Sequence, residues 1–267
     1  MFRPAAIFTL ATLFPAAVSA HEFWIDAKAW QVAPDAPIVA DIRVGEEFKG
    51  SAYSYLPPRF RRFDIVQGDD VTAVEGRAGD RPALNMAAPA EGLAVVVHVT
   101  SDYSLTYSEW DKFVNFATHK DWVPLIEEHE ARGLPETGFR ERYSRHGKSL
   151  IAVGEGTGMD REVGLETEIV ALANPYTDDL SGGLPVRVLY QGAPRGNAQV
   201  ELFEKAPDGS VATSLHRTDA DGMVQFPVKP GHTYLVDAVV LRPLEPVEES
   251  DPVWESLWAS LTFQVPE

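Results

Sequence analysis

Alternation of apolar and polar residues marks the first half of this chain as β. In the run from Ile38 to Val44, Ile38, Ala40, Ile42 and Val44 fall on one side and Asp41 and Arg43 on the other, the period of two that a half-buried strand requires. Leu93 to Val99 is almost continuously apolar and β-branched, which predicts a strand buried on both faces. Its odd positions form an all-apolar face, and His98 points to the opposite one. The period then changes. Ser108-Glu109-Trp110-Asp111 has the form of a capping box, and Trp110, Phe113, Val114 and Ala117 follow at helical spacing. A second helix is predicted from about Asp121, with Pro124 in its first turn and a stop at Gly133. A third helical or mixed piece is expected over Phe139 to Ser144.

Beyond this stretch the pattern returns to short strands. They are predicted over 166–173, 184–190, 198–203, 223–228, 233–240 and 260–265, separated by Asn174-Pro175, Ser181-Gly182-Gly183, Pro207-Asp208-Gly209, Asp219-Ala220-Asp221-Gly222 and Lys229-Pro230-Gly231. Turn residues of these kinds supply the backbone angles that tight reversals need. The acidic, Pro-rich segment 243–252 reads as a loop. The fold class expected is mainly β: two β-sandwich domains of immunoglobulin or transthyretin type. They span residues 21–160 and 164–267, with a helical insertion at about 108–144 in the first and a flexible boundary after Gly154-Glu155-Gly156-Thr157-Gly158.

Residues 1–20 change the picture of where such a protein works. Arg3, an apolar stretch from Ala5 to Phe14, Pro15, and the small pair Val18 and Ala20 have the layout of a cleavable secretory signal. Cleavage after Ala20 makes His21 the first residue, and the expected location is the periplasm. No later segment is long and apolar enough to span a bilayer, so no stable membrane insertion is expected after cleavage. The chain has no cysteine, which removes disulfides, thiolate ligands and a lipidated anchor together. Its formal net charge is −17, and losing Arg3 makes it one more negative. Such a field repels nucleic acid and attracts cations.

Standard catalytic patterns are missing. There is no G-x-S-x-G elbow and no phosphate-cradling P-loop. His21-Glu22 and His129-Glu130 start like a zinc-protease motif but lack its second histidine. Asp219-Ala220-Asp221-Gly222 lacks the closing glutamate of a calcium loop and reads as a hairpin turn. The candidate chemistry rests on His21. As a terminal residue it offers an imidazole and an α-amine to one ion, a donor pair suited to nickel, cobalt, copper or zinc. His98 and His146 are the candidates for further metal ligands. His119 and His129 read as part of a solvated helix face, and Trp24, Trp30, Trp110 and Trp122 as core aromatics. The segment Arg142-Tyr143-Ser144-Arg145-His146-Gly147-Lys148 is locally basic in an acidic chain, suited to hold an anion or to pair with carboxylates.

Four stretches together resemble a known family. They are Ala20-His21-Glu22-Phe23-Trp24; Arg140 through Leu150; Gly164 through Val170 leading to Asn174-Pro175-Tyr176; and Leu184 through Gly192 with Thr218-Asp219-Ala220-Asp221-Gly222 behind it. In this order they resemble the NikM-like periplasmic proteins, a domain-of-unknown-function family (DUF4198) associated with nickel and cobalt uptake. The resemblance implies a metal link carried by His21 and a metal-uptake transporter as partner. The expectation is therefore a soluble periplasmic accessory protein that binds nickel, cobalt or copper, or a complex of one, and performs no covalent chemistry. The alternatives are a copper histidine-brace oxidative enzyme, and a structural tandem sandwich that binds a partner while His21 is incidental.

Overall fold

A computed structural model describes residues 21–248 and 250–267; the expected leader over 1–20 lies outside the described residues. In chain order the elements are β1 (Glu22–Ala27), β2 (Gln31–Val32), β3 (Pro37–Glu46), β4 (Lys49–Tyr53), β5 (Phe60–Gln67), β6 (Asp70–Ala73), β7 (Leu84–Ala87), β8 (Gly92–Thr100) and β9 (Tyr103–Thr106). Two helices follow, α1 (Trp110–His119) and α2 (Pro124–Ala131). The chain then runs through β10 (Arg140–Val153), β11 (Thr167–Ala171), β12 (Leu184–Tyr190), β13 (Ala193–Pro194), β14 (Gln199–Lys205), β15 (Val211–Arg217), β16 (Met223–Phe226), β17 (Thr233–Pro243) and β18 (Trp254–Gln264). The protein is mainly β, in several sheets, with two α-helices among the described residues.

One long sheet organises the molecule. Its strand order is β15-β14-β17-β18-β10-β8-β5-β6, with β2 and β9 also paired to β10. Its centre is a parallel seam in which Glu141 lies opposite Trp254 and the register continues to Ser149 opposite Thr262. That seam joins strands from the two halves of the chain into one surface. A small sheet, β1-β3-β4 with β7 on β3, covers one face of the long sheet; the other small sheet, β11-β12-β13 with β16 on β12, covers the opposite face. The alternation in β8 shows how. Val95, Val97 and Val99 pack with Val186, Val188 and Phe226, while Ala94 and Val96 pack with Phe23, Ile25 and Ile42. Two apolar layers sandwich the strand, which is why its sequence is apolar at nearly every position.

The helices leave the chain between β9 and β10, yet they pack on β17 and β18. Phe113, Phe116 and Leu125 join Val239, Leu241, Trp254 and Trp258 in one core cluster. Helix α1 begins without the expected capping box: Glu109 is the N-cap, and no side chain caps the first turn. Helix α2 ends as predicted before Gly133, whose φ of +65° suits a residue without a Cβ.

The largest departure from the sequence reading is β10. The expected helical or mixed piece at 139–144 is the start of a fourteen-residue strand. Its polar residues are masked from solvent by ion pairs and by its position at the middle of the sheet, so burial does not show as hydrophobicity. Strand β15 was missed for the opposite reason: it is an edge strand with little buried surface. The segment expected to be a flexible boundary is tied down. Asn174 Nδ2 donates to the carbonyls of Gly156 and Gly158, at 2.8 and 2.9 Å, and Leu93 N donates to Thr157 O at 2.8 Å.

Candidate functional site

His21 stands at the head of β1, where Glu22 is paired with Gly45 of β3. The turn between β3 and β4 has Glu47 and Phe48 at φ of +48° and +60°, the left-handed pair a tight hairpin needs. It sets Glu46 beside His21, with Nδ1 3.5 Å from the Glu46 Oε1 atom. Both side chains are exposed. The imidazole therefore has an open approach and one carboxylate neighbour.

Below His21 lies a cleft of about 340 Å³. Its floor is the long sheet, where Glu141, Tyr143 and Arg145 of β10 meet Trp258 of β18; Leu105 comes from β9, and Lys112 and Phe116 form the α1 wall. Trp258 stacks on Phe116 with ring centroids 5.7 Å apart, and Tyr143 stacks on Tyr103 at 5.4 Å. Glu141 is buried in this floor. It accepts hydrogen bonds from the hydroxyls of Tyr107, at 2.7 Å, and Ser256, and burial raises its pKa to about 6. Lys112 is paired with Glu109 at 2.7 Å. Arg145 is held over the Tyr143 ring, 4.9 Å from its centroid.

A second group of charges lies behind Trp258. Lys120 reaches Glu201 at 2.8 Å and Asp237 at 3.1 Å, with all three side chains buried, and its ammonium lies 4.9 Å from the Trp258 ring centroid. Burial opposes the charge on Lys120, but the carboxylates of Asp237 and Glu201 hold its pKa above the ordinary value. Glu22, one residue from His21, turns inward toward this group. Burial, reinforced by the negative charge of Asp237, pushes its pKa up to about 8. Glu22 Oε2, Trp24 Nε1 and Asp237 Oδ1 are buried without hydrogen-bond partners.

The three histidines singled out from the sequence do not meet. His98 lies opposite Phe63 in the sheet register, on the face covered by the first small sheet. Its ring packs among Phe23, Phe60 and Phe63 at centroid distances of 5.4, 5.4 and 5.0 Å, and burial lowers its pKa to about 3. His146 is paired in register with Ala259, which belongs to the core on the other face of the sheet. Burial, helped by the positive charge of Arg61, lowers its pKa to about 4. Among the described residues no three His, Asp or Glu side chains gather as a metal-holding group. His119 is exposed as expected, but His129 is not on a solvated face. It accepts a hydrogen bond from Trp254 Nε1 at 3.0 Å on Nδ1, while Nε2 lies 3.0 Å from the Pro135 carbonyl. The Asp219 turn is structural: its Oδ1 accepts the backbone amides of Asp221 and Met223, both at 2.9 Å.

The profile of a domain of unknown function (DUF4198) matches residues 18–242. The chain belongs to the DUF4198 family. No curated protein matches it. Among solved structures, the DUF4198 chain is similar to the D0-D1 domain of intimin at 14% identity and a TM-score of 0.23, over 91% of this chain and 97% of that one. It is also similar to a tetra-tandem repeat from the extending region of a large adhesion protein, at 10% identity and a TM-score of 0.21 over 92% of this chain. It spans 50% of that second structure. Values this low bear on neither ligand nor partner.

Several residues of this candidate site escaped the sequence reading. Asp237 interrupts the apolar run from Tyr234 to Leu241, and a lone acid in a buried strand signals a buried partner. Lys120 is that partner, but it sits after a helix 117 residues earlier and carries no local signal. Glu141 and Trp258 belong to strands that come together only through the parallel seam.

Proposed function

We propose that the protein is a non-catalytic binding protein of the cell envelope that carries a divalent transition metal, or a complex of one, at the mouth of the cleft below His21. The observation supporting this reading is the pairing of His21 with Glu46: an open imidazole and a carboxylate 3.5 Å apart. Once the leader is removed after Ala20, the His21 α-amine adds a second nitrogen. Two nitrogens and one oxygen suit a borderline cation such as nickel, cobalt or copper, and the formal charge of −17 favours cations generally. His98 and His146 do not fit this donor set, because each is enclosed on its own face of the long sheet. A copper histidine brace asks for a second histidine beside His21, so the carrier reading is preferred to the enzymatic one. A transporter for the bound metal is the partner this reading calls for.

The test is calorimetric titration of nickel and copper into protein that starts at His21. His21→Ala and a variant with one added N-terminal glycine should each lose at least tenfold in affinity, and Glu46→Gln a smaller amount. Affinity should fall as pH drops, because protons compete for the same lone pairs. Equal affinity in all four proteins overturns the reading.

A further inference from the structure

The basic segment from Arg142 to Lys148 is divided by the structure into cations with partners and one without. Arg142 Nε donates to Glu255 Oε1 at 2.6 Å. Lys148 is bound between Asp160 and Glu168, at 2.7 and 3.0 Å. Arg145 is different. Its Nε is buried with no hydrogen-bond partner, and among the described residues its guanidinium pairs with no carboxylate. Asp237, whose charge Arg145 feels across the interior, is already held by Lys120. Other arginines also lack an acid, but Arg132, Arg140, Arg161 and Arg195 each donate to a backbone carbonyl, whereas the buried Arg145 Nε has no acceptor. It also lines the cleft, where an incoming anion would meet it.

The rest of the lining narrows the class of anion. Leu105, Phe116, Trp258 and Tyr143 offer apolar and aromatic surface, and a cleft of about 340 Å³ is at the small end of the range that organic ligands occupy. Glu141 stands in the same floor, its oxygens already accepting from Tyr107 and Ser256. A carboxylate with no free donor of its own disfavours a ligand carrying two negative charges. Arg145 offers a planar fork of N–H donors, the geometry that matches a carboxylate.

We propose that the cleft is a seat for a small organic monocarboxylate with an aromatic or apolar body, its carboxylate on Arg145 and its body against Phe116 and Trp258. This seat needs no metal and goes beyond the His21 reading.

The test uses the mature chain stripped with EDTA and titrated by calorimetry with four probes: 3-phenylpropionate, its uncharged amide, acetate and inorganic phosphate. The expected result is binding of phenylpropionate, with the amide, acetate and phosphate each at least tenfold weaker. Arg145→Gln should lose tenfold or more for the acid and nothing for the amide, with Arg145→Lys between wild type and Gln. Leu105→Trp, at a partly exposed position of the wall, should block the acid by filling the cleft. It provides the second variant if Arg145→Gln fails to melt cooperatively, and the comparison of acid with amide needs no variant at all. No binding of phenylpropionate at millimolar concentration overturns the proposal. So does equal binding of acid and amide, phosphate binding as tight as the acid, or full affinity in folded Arg145→Gln. Because metal is absent throughout, none of these outcomes depends on whether His21 binds nickel or copper.

Discussion

Lys148 and Glu168 meet in the interior, ammonium and carboxylate 3.0 Å apart and both withdrawn from solvent. Glu168 also accepts the backbone amides of Val163, Gly164 and Leu165, at 2.8, 3.1 and 3.1 Å. Asp160, the other partner of Lys148, accepts the amide of Ala171 at 2.8 Å. The connection between the two halves of the chain is thereby fixed to the centre of the long sheet. Lys148→Met leaves two buried carboxylates without their cation, and a loss of about 3–5 kcal/mol is expected. Urea unfolding at neutral pH measures it. Combining Lys148→Met with Asp160→Asn and Glu168→Gln, which removes all three charges, should recover part of that loss.

Glu22 gives the protein a proton that is taken up on folding. Its folded pKa of about 8 lies above the ordinary value of 4.5. The folded state therefore binds this proton more tightly than the unfolded state. The contribution is fully present below pH 4.5 and is lost as pH rises through 8. Glu22→Gln mimics the protonated form and should remove this slope. At pH 9 the variant should be more stable than wild type, by on the order of 3 kcal/mol. Urea midpoints at pH 5, 7 and 9 show the two curves diverging as the solution becomes alkaline.

His98 and His146 act with the opposite sign. Both are kept neutral, with folded pKa values of about 3 and about 4 against an ordinary 6.5. The unfolded chain takes up these protons first, so stability is full above pH 6.5 and falls as pH drops toward 4. Changing His98 to Leu should flatten the acid side of the stability profile while leaving the nickel titration of the mature protein unchanged. A lost nickel signal in a protein that melts normally would return His98 to the ligand set.

Gly147 supplies the seat for Phe23. A Cβ there would lie 2.5 Å from Phe23 Cε1 and 3.0 Å from Cδ1, closer than a filled core tolerates. Gly147→Ala is expected to cost about 1–3 kcal/mol, read as a lower melting temperature. Pairing it with Phe23→Leu should give less than the sum of the two losses, since both act on one contact.

Much of the fold was legible because apolar pattern and burial coincide in particular strands. Ile38 to Val44 lies within β3, and Leu93 to Val99 within β8, because each has a core on at least one side. The strand at 140–153 was illegible for a physical reason. Lys148, Glu141 and Ser144 are buried, and the groups that hold Lys148 and Glu141, among them Asp160, Glu168, Tyr107 and Ser256, come from other elements, so local composition reads as solvated. The site shows the same division. His21 was visible as the residue after an expected cleavage signal, and the basic character of 142–148 was visible as composition. That Arg145, alone among the arginines and lysines of that segment, faces the cleft with no carboxylate paired to it depends on the alternation of β10 and on the partner β18 puts beside it, neither of which the local pattern contains.

The parallel seam between β10 and β18 has a consequence for the order of events in biogenesis. Residues 141–149 pair along one edge with 254–262, so the seam at the middle of the main sheet stays open until nearly the whole described chain has been synthesised. Contacts this far apart along the chain slow folding. With the export signal proposed for residues 1–20, such a delay would keep the chain threadable while it waits for translocation. On that proposal, closure of the seam would be a late event, on the far side of the membrane.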